Sequence, residues 1–104
     1  MPLNKFDNNL LLDYYGELLT KHQRDILEEY LNEDLSMNEI AENYEISKSA
    51  VQDLIKRSIV QLEGYEKVLK LIEKDKKLDV LLNDMKNEND KLLDKYIKKI
   101  EKIK

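Results

Sequence analysis

The 22 residues Ser36 to Arg57, SMNEIAENYEISKSAVQDLIKR, decide the fold. A helix-turn-helix needs a short helix, a tight turn and a second helix crossing the first, packed through a few small or apolar side chains. Ile40, Ala41 and Tyr44 supply an apolar stripe at helical spacing, and Ile46 follows the turn. Val51, Leu54 and Ile55 supply the facing stripe. Ala41 sits where two steeply crossing helices need a small side chain. Ser36, three before Glu39, predicts a capping box for the first helix, and Ser47 predicts an N-cap for the second. The turn falls at Glu45, a position that favours a left-handed backbone. A residue other than glycine there costs roughly 1–2 kcal/mol.

Upstream, the pattern predicts two more helices. The first is expected from about Asn9 to Leu19, capped by Asn8 or Asn9, with Leu11, Leu12, Tyr15, Leu18 and Leu19 on its apolar face. Gly16 inside it costs about 1 kcal/mol against alanine, which suggests close approach by another helix. The sequence T-K-H-Q from Thr20 to Gln23 is a second capping box, opening a helix through about Asn32. Ile26, Leu27, Tyr30 and Leu31 form its inward face, and Asn32 to Leu35 connects it to the helix-turn-helix.

Downstream of Arg57 no breaker appears for a long way. Apolar residues continue at three- and four-residue steps through Leu62, Tyr65, Leu69 and Ile72, with Gly64 as the weak point. The charged run Glu73 to Lys77 is expected to bend or to be solvated. A last helix is expected to carry Leu78, Leu82, Met85, Asn89, Leu92, Tyr96, Ile100 and Ile103 in a near-heptad seam. Asn89 reads either as a polar seam residue that fixes register or, within Asn87 to Asp90, as part of a break. So narrow a seam folds back on the domain or pairs with another chain, and a homodimer is expected.

The whole chain is 104 residues, 38 % charged and 41 % apolar, with two glycines, one proline and no cysteine. That composition suits an all-helical chain and excludes disulfides, thiol catalysis and thiolate zinc sites. No apolar run spans a bilayer, and MPLNKFDNN lacks a signal-peptide core, so a cytosolic protein without membrane insertion is expected. Residues 1–64 hold six Lys/Arg against thirteen Asp/Glu, a net of −7, while residues 65–104 hold twelve Lys against nine Asp/Glu, a net of +3. Nucleic-acid binders are usually basic, and the part holding the helix-turn-helix is acidic.

Little in the chain suggests catalysis. His22 stands alone in the first turn of a helix and reads as solvated. Glu28–Glu29 and Glu33–Asp34 are neighbours that point different ways on a helix and read as a solvated face. No phosphate-cradling glycine loop or metal-binding H-E-x-x-H occurs. Tyr30, Tyr44, Tyr65 and Tyr96 lie on apolar stripes and read as core. No cofactor, no metal and no enzymatic activity are expected.

The second helix of the motif leaves Lys48, Ser49, Gln52, Asp53, Lys56 and Arg57 exposed. In a docked helix-turn-helix the N-terminal residues of this helix meet base edges and flanking ones hold phosphates. Gln52 suits adenine, Ser49 suits base or phosphate, and Lys48, Lys56 and Arg57 suit phosphate. Asp53 opposes them. The plainer reading is an ordinary solvated helix face.

The stretch from Leu19 to Leu62 resembles region 4 of bacterial sigma factors. More closely, N-L-L-L-D-Y-Y-G-E-L-L-T from Asn9, Q-R-D-I-L-E-E-Y-L from Gln23, E-D-L-S-M-N-E-I-A-E from Glu33, S-K-S-A-V-Q-D-L-I-K-R from Ser47 and L-E-G-Y-E-K-V-L from Leu62 resemble the YlxM/p13-like family of small bacterial helix-turn-helix proteins. The resemblance covers roughly residues 8–78. It implies a cytosolic regulator linked to the signal recognition particle pathway, since members are commonly encoded beside the particle's GTPase. Surface roles carry over to Lys48, Ser49, Gln52, Lys56 and Arg57, while Glu45 and the acidic surroundings depart from a DNA-binding pattern. The expected architecture is all-α: a sigma-region-4-like helix-turn-helix domain over residues 8–65 and a C-terminal helical extension over 66–104 that could dimerise. The expected partner is nucleic acid, either DNA or the particle's RNA. The alternative is an acidic adaptor docking on a basic protein such as the particle's GTPase.

Overall fold

A computed structural model describes residues 5–88 and 90–103. Six α-helices and one 3-10 turn account for nearly all of them: α1 (Lys5–Tyr15), the 3-10 turn Gly16–Leu18, α2 (Lys21–Leu31), α3 (Met37–Tyr44), α4 (Lys48–Leu69), α5 (Leu71–Lys86) and α6 (Lys91–Ile103). No strand occurs among the described residues. The chain divides into two compact units, residues 1–72 and 73–104.

The local signals of the first unit act as read. Thr20 accepts from Gln23 N–H at 3.2 Å while Gln23 returns the bond to Thr20 N–H, and Ser36 and Glu39 do the same for α3. Each box satisfies two of the N–H groups a helix start leaves unpaired. Ser47 accepts from Ala50 N–H at 3.0 Å and starts α4.

Four faces then close one core. Ile26 and Leu27 of α2, Ile40 of α3, and Val51 and Leu62 of α4 are fully buried. Leu11, Leu12 and Tyr15 of α1 complete it, with Leu19, Leu31, Ala41 and Ile55 around them. The core runs past residue 65, because α4 continues unbroken to Leu69 and Ile72 also joins the cluster.

Several expectations change. The first helix starts by Lys5 and tightens into a 3-10 turn at Gly16, so Asn8 is buried inside α1 rather than capping it. Leu18 is exposed, because the 3-10 turn rotates it off the apolar face. Gly16 is buried without a positive φ. A Cβ there would lie 3.0 Å from Leu12 Cδ1 and 3.9 Å from Arg24 Cδ on α2. Gly64 causes no break, and α4 passes straight through it.

The break falls instead at Lys70, which closes α4 in a left-handed conformation with φ of 56°. Glu73 to Lys77 is helical, not bent. Glu73 and Lys77 pair one turn apart at 3.1 Å, so the charged run supports the helix.

In the second unit the expected single last helix is two. α5 ends at Lys86 and α6 begins at Lys91; the seam role of Asn89 lies outside the described residues. Lys86 Nζ reaches Glu101 Oε1 at 2.8 Å. On one straight helix those residues would stand about 22 Å apart, beyond the reach of both side chains, so the chain turns back between them. Leu82 and Ile97 are buried, while Leu92, Tyr96 and Ile103 of the expected seam are exposed.

Candidate nucleic-acid interface

The turn between α3 and α4 is set by hydrogen bonds that end α3. Glu45 is left-handed, φ 56° and ψ 42°. Its N–H donates to Glu42 O at 3.3 Å, and Ile46 N–H donates to Ala41 O at 3.0 Å. This pair of bonds satisfies carbonyls that a helix end otherwise leaves open, and it turns the chain sharply enough for α4 to start at Lys48. Glycine would fit Glu45's backbone without strain. Here the strain is offset by those bonds and by Ile46 and Tyr44, both packed against the core.

α4 presents two faces. Val51, Ile55, Ser58 and Leu62 are buried at helical steps. Lys48, Ser49, Gln52 and Lys56 are exposed, and at about 100° per residue they share an arc of about 100°. Lys48 and Ser49 occupy the first two helical positions, next to backbone N–H groups that carry the positive end of the helix dipole. The arrangement offers two ammonium groups, a hydroxyl and an amide along one strip of helix.

Arg57 lies on another side. Its Nη2 pairs with Asp53 Oδ2 at 2.7 Å. The guanidinium and the carboxylate remain 76 % and 58 % exposed, so the pair is solvent-screened and costs little to open. Asp53 therefore acts on Arg57 directly, as its intrahelical partner. Of the five expected residues, four share one strip and Arg57 is diverted.

A groove on α1 and α2 is mostly acidic. Asp13 and Glu17 beside the first turn, with Asp25 and Glu28 of α2, line one groove, and Glu29 and Glu33 continue it toward Tyr44. The Tyr44 hydroxyl donates to Glu29 Oε2, and His22 meets the Tyr44 ring edge-on at 5.6 Å. The Glu29 hydrogen bond, burial and the carboxylates of Glu29, Asp25 and Glu33 push the Tyr44 phenol up to about 12.

Sequence reasoning missed one polar centre. The buried Tyr15 hydroxyl donates to Glu66 Oε1 at 2.5 Å and accepts from Leu71 N–H at 3.0 Å. Ile72 N–H donates to the same Glu66 oxygen at 3.0 Å. Two orphan N–H groups at the start of α5 are thus satisfied by side chains 51 residues apart in sequence. Burial and Glu66 together raise the Tyr15 pKa. The sequence placed Tyr15 on an apolar face and carried no signal for its hydroxyl, whose partners lie 51 residues or more away.

A family model described as "Putative helix-turn-helix protein, YlxM / p13 like" matches residues 4–103. A UPF0122 protein of Clostridium perfringens is 45 % identical over 107 residues, covering 96 % of each chain. One from Geobacillus sp. strain WCH70 is 46 % identical over 88 residues, 85 % of this chain and 77 % of the relative. One from Acetivibrio thermocellus is 39 % identical over 110 residues, 94 % of each.

Proposed function

This chain belongs to the UPF0122 family of YlxM/p13-like helix-turn-helix proteins, and on that premise we propose that it is a non-enzymatic regulator that contacts nucleic acid through α4. The observation that carries the reading is the exposed strip of Lys48, Ser49, Gln52 and Lys56 at the start of the second helix of the motif. The lysines would hold phosphates, and Gln52 and Ser49 would meet base edges. Arg57 joins only after exchanging Asp53 for a phosphate. A place in the signal recognition particle pathway, as a cytosolic homodimer, is part of this proposal. It rests on the family resemblance, and the particle's RNA is then as natural a ligand as DNA.

A fluorescence anisotropy titration of labelled duplex DNA and of structured RNA tests it, with Lys48→Ala plus Lys56→Ala alongside. Binding through two or three cations should give a log–log salt slope of about −2 to −3. The double variant should lose most of the affinity on the preferred ligand.

The second reading is favoured by the acidic groove of α1 and α2. An adaptor using it would dock on a basic protein surface, keep its affinity in the lysine variant and lose it on Asp25→Asn plus Glu28→Gln. No nucleic-acid binding, together with capture of the particle's GTPase by the unmodified chain alone, would favour this reading.

A further inference from the structure

The C-terminal helix α6 carries a face that the described residues of its own unit leave uncovered. Its sequence, KLLDKYIKKIEKI from Lys91 to Ile103, places five lysines and two acids around six apolar residues. At about 100° per residue, Lys91, Lys95, Lys98, Lys99 and Lys102 fall within an arc of about 100°. Leu92, Tyr96 and Ile103 form a stripe at one edge of that arc and are 61 %, 49 % and 85 % exposed. Buried Ile97 lies at the far border of the apolar face. Asp94 and Glu101 follow beyond it, where Lys86 neutralises Glu101. The outward sector of α6 is therefore lysine and apolar side chain, free of carboxylate. Lys99 also stands over the Tyr96 ring at 5.5 Å.

We propose that α6 is a docking surface for an anionic lipid bilayer, lying in the headgroup plane. Both halves of the outward sector need an occupant. A nucleic acid supplies anions for the lysines but no apolar sink for Leu92 and Ile103. The acidic groove of a second copy supplies carboxylates, yet Leu12 is the apolar side chain among the residues lining it. An anionic membrane supplies phosphates at the depth of the lysine heads and the acyl boundary at the depth of the stripe. Tyr96, apolar at its ring and polar at its tip, suits that boundary, and lysine stems reach from it back to the headgroups. Among the described residues no helix is long and apolar enough to cross a membrane, so α6 would lie on the bilayer and not span it.

Flotation of the full chain with vesicles of phosphatidylcholine alone, or of phosphatidylcholine and phosphatidylglycerol in equal parts, tests this. The chain should float with the anionic vesicles only, and less as salt is raised. Lys95→Glu plus Lys99→Glu should lower the partition coefficient by about tenfold or more. Leu92→Ser plus Ile103→Ser should do the same, with circular dichroism and melting unchanged because all four side chains face solvent. No flotation with anionic vesicles overturns the proposal. So does flotation that the Leu92/Ile103 variant leaves intact, which is adsorption by charge alone. Loss of a dimer in that variant, without vesicle binding by the parent chain, assigns the face to a second copy. Loss of RNA binding in the lysine variant, again without vesicle binding, assigns it to RNA.

Discussion

The described residues of the first unit and of the second are both mostly helical, yet the first encloses the larger core. In the first unit four helices each give up one face to a shared interior, and the residues at its centre are fully buried. Among its described residues the second unit buries two side chains, Leu82 and Ile97, and its most amphipathic helix leaves half of its apolar face in solvent. Amphipathicity specifies that a helix has a face to cover. Whether the chain itself covers it depends on how many other faces converge there.

The largest test of that contrast is truncation at matched positions. Leu62→Ala in the first unit should cost about 3 kcal/mol, the transfer free energy of the lost methyl groups plus a cavity. Leu92→Ala in the second should change stability by less than about 0.5 kcal/mol. Urea unfolding of both variants would measure this, and equal losses would break the distinction between the units.

Tyr15→Phe should cost about 1–2 kcal/mol. It keeps the ring packed and leaves Leu71 N–H and Glu66 short of a partner. Hydrogen exchange should show the loss at the first turn of α5 ahead of α2, which would sharpen where the first unit ends. Uniform loss across the unit would instead mean that the hydroxyl steadies the whole core and not the start of α5 in particular.

Glu45→Gly should stabilise the first unit by about 1 kcal/mol, because glycine takes the left-handed backbone without penalty. A lower melting temperature would mean that the Glu45 side chain makes a contact worth more than the strain.

The smallest effect is alkaline. The Tyr44 phenol is held protonated in the folded state, its pKa pushed up to about 12 from the ordinary 10.0. Its hydrogen bond to Glu29 therefore supports the fold below pH 10 and is lost as pH climbs from there through about 12. Ultraviolet titration of phenolate should show Tyr44 and Tyr15 ionising late, and Tyr44→Phe should remove one of the two. A late phase unchanged in that variant would remove Tyr44 from it.

The first unit was legible where its signals are local. The boxes at Thr20–Gln23 and Ser36–Glu39, the cap at Ser47 and the turn at Glu45 each lie within a few residues of what they control. The strip of Lys48, Ser49, Gln52 and Lys56 follows from the same register, since burying Val51 and Ile55 turns those four outward. Arg57 was less legible, because its pairing with Asp53 depends on which of several exposed rotamers is taken. The stop at Lys70 was not legible at all. Lysine has no helix-breaking chemistry, and the partners that fix the following turn, Tyr15 and Glu66, are far apart in sequence. Of the two readings of the charged run after it, the solvated one holds and the bend does not, because Glu73 and Lys77 stand one turn apart on an exposed helix face.

The Tyr15 fastening also sets an order of events during synthesis. Tyr15 emerges early and must wait for Glu66, Leu71 and Ile72 before its hydroxyl and the start of α5 are satisfied. Closing contacts over so long a stretch is slow relative to forming the helices themselves. A nascent chain that has released only residues 1–65 would hold the complete helix-turn-helix, yet the Tyr15 hydroxyl would still lack Glu66 and Leu71. The motif is thus made before the domain that steadies it, and the last few residues of the first unit decide when it becomes a finished surface.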